Sequence, residues 1–173
     1  MRSSHRAEFE EFAIARSTEL LRAAWLLTGN RHSAEDLVQE TLTRLYVRWE
    51  RVRAAGNIAA YARTVLFRTF VDGRRRSSGT ERPVAEPASS PSNDPDVALR
   101  HSLVDALRTL APIDRAVVVQ RYLLDQDVTS VAADLRLTNQ AVRSRSSRAL
   151  ARLRDHLGEE FLTVSTHEEG PHR

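Results

Sequence analysis

The sequence predicts an all-α fold, in which two small helical domains are joined by a flexible linker and the second domain contains a helix-turn-helix. Apolar residues recur at three- and four-residue spacing through most of the 173 residues, as on the buried face of amphipathic helices. Alternating patterns typical of strands are scarce. Residues 79–95 hold four prolines and almost no large apolar side chain, so this segment cannot form a core and divides the chain in two.

This division predicts four segments along the chain. The first domain spans residues 1–76, the linker residues 77–97, the helix-turn-helix domain residues 98–157, and a short acidic tail residues 158–173. Domains of this size bury a modest apolar area, so each is expected to be marginally stable on its own.

Three helices are predicted in the first domain. The first covers about residues 9–28 and stops at the glycine that follows. The second has Ser33 as its N-cap, with Tyr46 among its inward-facing apolar residues. The third begins after Asn57 and ends in the arginine run at residues 74–76.

The second domain is predicted to hold four helices. The first covers residues 96–110, and Pro112 opens the next at its first turn. Asp127 caps a short helix, and after a tight turn Thr138 caps a longer helix that ends near residue 157, which is a helix-turn-helix pattern. The residues predicted to face inward from the Pro112 helix are Val117, Val118, Tyr122 and Leu123.

The charge of the chain is sorted into blocks. All 26 basic residues are arginine, and the net charge is only +3. Residues 1–76 hold 14 arginines against 9 acids, and residues 99–157 hold 10 against 6, whereas residues 77–98 and 158–173 are both net acidic. Two basic blocks predict a polyanionic partner for each block. Arginine in particular suits phosphates and guanine edges.

The composition argues against an enzyme, a metal site or a bound cofactor. The chain has no cysteine, its six histidines lie far apart, and it has no glycine-rich phosphate loop or nucleophile constellation. No apolar run approaches the about 20 residues that span a bilayer, and the N-terminus lacks an apolar signal core. We therefore expect a cytoplasmic protein with no cofactor, no small-molecule substrate and no membrane contact.

One face of the last helix carries residue types that read duplex DNA. With its N-terminus in a major groove, this helix would present asparagine and glutamine to adenine edges and arginine to guanine or phosphate. A solvated arginine-rich helix that closes a bundle is the alternative interpretation. The candidate duplex-binding residues are Thr138, Asn139, Gln140, Arg143, Ser144, Ser147 and Arg148.

The first domain has two polar surfaces of opposite character. The third helix carries Arg63, Arg68 and the arginine run 74–76, and this run is equally consistent with a helix end favoured by the helix dipole. The second helix has an acidic and polar side formed by Asp36, Gln39, Glu40 and Thr43. The aromatic residues near the arginines, which could stack unpaired bases, are Trp49, Tyr61, Phe67 and Phe70.

Two sets of motifs resemble a known family. Residues 34–41 (Ala-Glu-Asp-Leu-Val-Gln-Glu-Thr), 49–52 (Trp-Glu-Arg-Val) and 72–76 (Asp-Gly-Arg-Arg-Arg) resemble region two of the extracytoplasmic-function sigma factors. Residues 110–119 and 142–154 are similar to region four of the same family. The resemblance spans about residues 8–157 in the family's order, with a linker between the two regions.

The resemblance implies an alternative sigma factor that binds core RNA polymerase and directs it to particular promoters. The acidic and polar side of the second helix would contact the polymerase, and the last helix would read the minus-thirty-five element of the promoter DNA. An anti-sigma protein is a further partner common in the family. The residues implied to recognise and melt the minus-ten element are Arg51, Arg53, Asn57, Tyr61, Arg63, Arg68, Arg74 and Arg75.

Four positions depart from the family's pattern. Arg136 stands where the turn of the helix-turn-helix usually has a glycine, and Ser130 stands where a glutamate usually completes a capping arrangement. Arg68 replaces an asparagine of the region-two helix, and Ala141 replaces a threonine of the recognition helix. These departures bear on contacts with individual bases.

The main alternative is a helix-turn-helix regulator that acts without polymerase. It explains the second domain equally well, but it does not explain the motif at residues 36–41 or the arginine-rich third helix. Such regulators usually bind palindromes as dimers, so tight binding of duplex promoter DNA by the isolated protein would favour this alternative. Turnover by the purified protein would instead favour an enzyme.

Overall fold

The structure, a computed structural model, describes residues 2–77 and 95–167 of the chain. All regular elements in these two ranges are helical, which confirms the all-α prediction. The predicted linker lies outside the described residues, except for its two ends, which are helical. The helices are α1 (Arg2–Thr28), α2 (Arg31–Val47), α3 (Trp49–Ala54), α4 (Ile58–Ser77), α5 (Pro95–Arg108), α6 (Pro112–Val118), α7 (Val128–Leu135) and α8 (Asn139–His167).

Asparagine side chains set where α2 and α4 begin. Asn30 is extended, and its Oδ1 accepts a hydrogen bond from the Ser33 backbone N–H at 2.7 Å. The N-cap of α2 is therefore Asn30, and the prediction of Ser33 was wrong because a good capping residue already precedes it. Asn57 Oδ1 accepts from the Ala60 N–H at 2.9 Å, which confirms the predicted start of the third long helix. Gly29, at φ +81°, separates α1 from α2.

Two helices are longer than predicted. α1 begins at Arg2 rather than near residue 9, and an ion pair between Arg6 and Glu10, one turn apart, supports its first part. α8 continues to His167, past the predicted end near residue 157. Gly158 keeps a helical backbone at that point, so it does not act as a stop signal.

The short helix α3 was not predicted. Its six residues are too few to show a helical period in the sequence. Trp49 and Val52 are buried and hold α3 against the bundle. Phe9 of α1 lies edge-on to Trp49, with 5.1 Å between the ring centroids.

A π-helical turn, Val119–Leu123, continues α6. Such a turn adds a residue to the helical repeat and rotates the residues that follow. Val117 and Val118 are buried as predicted, but Tyr122 and Leu123 are exposed, so their predicted inward position was wrong. Gln120 takes a core position instead, fully buried.

The two halves of the described chain share one hydrophobic core. α1 packs against α5, while α4 packs against α6 and α7. Leu27 and Phe67 of the first half lie in the same buried cluster as Leu107 and Val117 of the second. The first and second halves therefore form a closed arrangement in which helices of both contact each other directly.

Candidate nucleic-acid interface

Each of the two helices of the helix-turn-helix begins at a side-chain cap. Asp127 Oδ1 accepts from the Ser130 backbone N–H, and Asp127 Oδ2 accepts from the Ser130 hydroxyl, both at 2.8 Å. These two hydrogen bonds lower the pKa of the Asp127 carboxyl. Thr138 Oγ1 accepts from the Ala141 N–H at 3.1 Å and caps α8 as predicted. Ser130 thus completes the cap of α7 with a hydroxyl where the family usually has a glutamate.

The turn between α7 and α8 passes through Arg136. This residue adopts φ 55° and ψ 45°, the left-handed conformation, at a cost of about 1–2 kcal/mol for a side chain other than glycine. The next N–H, that of Leu137, donates to the Ala132 carbonyl at 2.9 Å and closes the end of α7. Arg136 therefore keeps the backbone that the usual glycine would adopt, and the turn is not displaced.

α8 divides into a buried face and an exposed face. Val142, Ser146, Ala149 and Leu153 are buried against the neighbouring helices. Arg145 is held away from the exposed face by an ion pair with Asp114 of α6, with 2.7 Å between Nη1 and Oδ1. The candidate duplex-binding residues are all exposed on the described surface: Thr138, Asn139, Gln140, Arg143, Ser144, Ser147 and Arg148.

The acidic and polar side of α2 is also exposed. The Asp36 side chain is 70% exposed and lies 3.4 Å from His32, one turn earlier. Glu40 forms an ion pair with Arg44 along the same helix, and Gln39 and Thr43 are exposed beside it. The opposite side of α2 is anchored in the core by Ala34, Leu37, Val38, Thr41 and Leu45.

The structure separates the candidate minus-ten residues into two groups. Arg51, Arg53 and Asn57 lie exposed around α3 and the start of α4, although Arg53 pairs with Glu8 of α1 at 2.9 Å. Arg51 also lines a cleft of about 590 Å³ together with His5 and residues 46–50. Arg74 is exposed near the end of α4, and the side chain of Arg75 lies outside the described ones.

The second group faces the helix-turn-helix. Arg63 Nε lies 3.3 Å from Asp134 Oδ2 of α7, and Arg68 donates to the carbonyls of Ala133 and Asp134. Tyr61 is half-buried and lines a groove that Arg136 also lines. The side chains of Arg63 and Arg68 are therefore engaged by the second half of the chain.

The predicted aromatic stacking surface does not form. Trp49, Phe67 and Phe70 are buried in the core, where they cannot reach an unpaired base. Tyr61 alone among the four predicted aromatics is partly accessible. Tyr46, which was predicted to face inward, is 51% exposed at the cleft near α3. Sequence reasoning missed Tyr46 because its position three residues before a buried tryptophan resembles an ordinary core position.

The described residues show no group of three or more His, Cys, Asp or Glu side chains placed to hold a metal ion. Among the same residues, none of the helices is long and apolar enough to cross a membrane.

Two family models match the chain. Residues 15–80 match the model described as Sigma-70 region 2, and residues 106–155 match the model described as Sigma-70, region 4. The first match contains α2, α3 and α4, and the second contains the helix-turn-helix.

Sigma factors of other bacteria match most of the chain. The chain is 38% identical over 152 residues to the RNA polymerase sigma-E factor of Streptomyces coelicolor, covering 87% of this chain and 86% of that protein. It is 34% identical over 168 residues to the ECF RNA polymerase sigma factor SigL of Mycobacterium tuberculosis, with 91% of each chain covered. A solved structure of the sigma factor RpoE in complex with the anti-sigma factor NepR, from Bartonella quintana, shares the fold. That match has a TM-score of 0.66 and 24% identity, and it covers 87% of this chain and 97% of that one. The chain therefore belongs to the sigma-70 family, in its extracytoplasmic-function group of RNA polymerase sigma factors.

Proposed function

We propose that this protein binds core RNA polymerase and directs it to start transcription at particular promoters, as an alternative sigma factor. The observation that carries the proposal is the pairing of two exposed surfaces on one chain. One is the acidic and polar side of α2 within the region-two match, and the other is the polar face of α8 within the region-four match. A regulator that acts without polymerase needs only the second surface.

The surface on α2 is proposed to contact the polymerase. Asp36, Gln39, Glu40 and Thr43 lie exposed along one side of a helix whose other side is fixed in the core. A helix held in this way presents its polar side chains in a defined arrangement, which favours a specific protein contact over a loosely solvated face.

The exposed face of α8 is proposed to read the minus-thirty-five element as duplex DNA. Its N-terminal turn carries Asn139, Gln140 and Arg143, which can form bidentate hydrogen bonds with base edges in a major groove. Thr138 and the helix N-terminus suit a phosphate contact that sets the register. Arg148, further along, adds positive charge for the backbone.

The minus-ten element is proposed to bind around α3 and α4. Arg51 borders the cleft beside Tyr46, and this cleft is large enough for an unstacked base. The remaining members of this group are Arg53, Asn57, Tyr61, Arg63, Arg68, Arg74 and Arg75. Two linked sites raise each other's effective concentration, so that small domains with weak individual affinities can select a promoter.

The proposed role implies further properties of the protein. It would act in the cytoplasm, where the polymerase is, and would supply no catalysis, cofactor or small-molecule binding of its own. An anti-sigma protein is proposed as a second protein partner, in keeping with the RpoE structure, which is a complex with the anti-sigma factor NepR.

Run-off transcription tests this proposal. Core polymerase is incubated with a library of promoter fragments, with and without the protein, and the start sites are mapped by sequencing. We expect a defined set of new start sites that share two sequence elements. The proposal fails if the start sites do not change, or if the isolated protein binds the same duplexes tightly without polymerase.

A further inference from the structure

A carboxylate of the helix-turn-helix lies among basic and polar side chains of the first half. Asp134 is in the last turn of α7, and Thr64 of α4 donates from Oγ1 to its Oδ1 at 2.5 Å. Arg63 Nε lies 3.3 Å from Asp134 Oδ2. The Asp134 side chain is only 10% exposed and that of Arg63 only 22%. The contact is therefore largely shielded from water. An ion pair with hydrogen bonds is stronger in such a shielded place than on the exposed surface.

Arg68 extends the same contact along the end of α7. Its Nε donates to the Asp134 carbonyl at 2.7 Å, and its Nη2 donates to the Ala133 carbonyl at 2.9 Å. These carbonyls lie at the C-terminal end of a helix, where a cation is favoured by the helix dipole. Arg68 is one of the positions that depart from the family's pattern, and the structure gives it a partner in the other half of the chain.

The contact covers part of the candidate minus-ten surface and leaves the polar surfaces of α8 and α2 free. Arg63 and Arg68 belong to the candidate minus-ten set, and here they are occupied by α7. The polar face of α8 and the polar side of α2 are exposed in the same conformation. Asp134 thus places a carboxylate against the basic side chains of α4.

A protein that reads both promoter elements cannot keep this conformation. The two elements, named by their positions, are about 25 base pairs apart, or about 85 Å of duplex at about 3.4 Å per base pair. In the closed arrangement, by contrast, α4 and α7 are within hydrogen-bonding distance. The halves must therefore separate before both elements are bound.

We propose that Asp134, with Thr64, Arg63 and Arg68, forms an interdomain latch that keeps the free protein closed and masks the part of α4 that carries Arg63 and Arg68. The exposed surface of α2 lets the polymerase bind the closed form, and separation of the halves then releases α4. The masking part of this inference rests on the proposed function, whereas the closure itself does not depend on it.

The closure is tested with fluorescence energy transfer between single molecules of the free protein. The chain has no native cysteine, so dyes can be attached at Ser17→Cys of α1 and Asp155→Cys of α8, two exposed positions in different halves. Asp134→Asn keeps the shape of the side chain and removes its charge. We expect this substitution to raise the ratio of open to closed molecules at least about tenfold, as for the loss of one charged hydrogen bond.

Asp125→Asn is the matched control. It removes the same charge from the same half of the chain, at a residue that is exposed. Asp125 has a positive φ, which asparagine also tolerates. The control should leave the open-to-closed ratio unchanged. Circular dichroism checks that both variants stay folded, and Thr64→Val provides a second substitution that removes the hydroxyl donor without changing charge. An unchanged ratio in both Asp134→Asn and Thr64→Val overturns the latch.

The masking is tested with a random-sequence single-stranded 15-nucleotide DNA. We expect Asp134→Asn to bind this oligonucleotide about five- to tenfold more tightly than the unsubstituted protein, because Arg63 and Arg68 are released. Equal tightening by Asp125→Asn shows a general charge effect and overturns the masking. Opening without tighter oligonucleotide binding also overturns it. Neither assay contains polymerase or promoter, so a failed latch is distinguishable from a failed assignment of function.

Discussion

Arg115 of α6 donates a hydrogen bond from Nη1 to the carbonyl of Leu27, in the last turn of α1, at 2.6 Å. Its Nη2 donates to the carbonyls of Arg108 and Leu110 at 3.1 and 3.2 Å. The guanidinium lies 5.7 Å from the centre of the Phe70 ring. A single buried side chain of the second half thus donates hydrogen bonds to a carbonyl at the end of α1 and to two carbonyls at the connection between α5 and α6.

Removing this side chain should destabilise the whole described fold. Burial, together with the like charges of Arg74 and Arg108, lowers the pKa of Arg115 to about 10, so that it remains charged at pH 7. Arg115→Ala leaves three carbonyls without their donor, and we expect a loss of about 2–4 kcal/mol in the free energy of unfolding. Urea denaturation measures this. Arg152→Ala, at an exposed arginine of α8, is the control, and equal losses in the two variants would contradict the role of Arg115.

Gln120 should be replaceable with a gain in stability. Its side chain is fully buried in the π-helical turn, and neither its Nε2 nor its Oε1 has a hydrogen-bond partner among the described residues. Gln120→Leu removes the desolvation cost of an unpaired amide, and we expect about 1–3 kcal/mol of added stability. Thermal unfolding is the measurement. A lower melting temperature would show that the amide has a partner, such as a buried water, that supports the turn.

The cap of α7 should make stability depend on pH in the acidic range. Hydrogen bonds from Ser130 lower the pKa of Asp127 below its ordinary value of 3.8. The unfolded chain then binds this proton more readily than the folded chain, so the stabilisation is complete above pH 3.8 and is lost as pH falls through the lower folded pKa. We expect Asp127→Ala to lower the melting temperature at pH 7, and the difference from the unsubstituted protein to shrink towards pH 3.

Asp127→Asn separates the charge from the cap. It keeps an oxygen acceptor for the Ser130 N–H but has no carboxylate. Its melting temperature should lie between those of the unsubstituted protein and Asp127→Ala at pH 7. A constant difference between Asp127→Ala and the unsubstituted protein at all pH values would rule out the ionised cap.

Arg143→Ala should weaken promoter selection and spare polymerase binding. Arg143 is exposed on the first turns of α8. We expect its loss to reduce the binding free energy for promoters with a matching minus-thirty-five element by about 1–3 kcal/mol. Competition between promoter fragments in the transcription assay measures this. Arg152→Ala is the matched control, because Arg152 lies on the opposite side of the same helix. Loss of core-polymerase affinity in Arg143→Ala would mean that the roles of α8 and α2 were assigned wrongly.

Asp36→Arg should damage polymerase association first. The side chain is mostly exposed, so the substitution is expected to leave the fold intact and to weaken binding to core enzyme at least about tenfold. Binding is measured with a labelled protein titrated with core polymerase. Glu11→Arg, an equal charge change at an exposed position of α1, is the control. Unchanged affinity in Asp36→Arg would remove α2 from the polymerase interface.

Local patterns predicted much of the candidate site. Asp127 and Thr138 were identified as caps because N-capping depends on a side chain and the N–H groups two or three residues later. The exposed face of α8 followed from helical periodicity alone. The same local reasoning named Ser33 as the cap of α2, whereas the structure has Asn30 there, since both residue types can cap and only the backbone conformation decides between them. It also placed Tyr122 and Leu123 in the core, because a π-helical turn has no periodic signature.

The sequence by itself determined the presence of the longer helices, the helix-turn-helix, the sorting of charge and the family, because each shows in residues that are close along the chain. Only the tertiary structure decided that Arg68 bonds to the end of α7, 66 residues away, and that Arg115 reaches Leu27, 88 residues away. Periodicity shows which side of a helix is buried, but it does not show which helix covers that side. For this reason the exposure of α8 was predictable, whereas the masking of α4 was not.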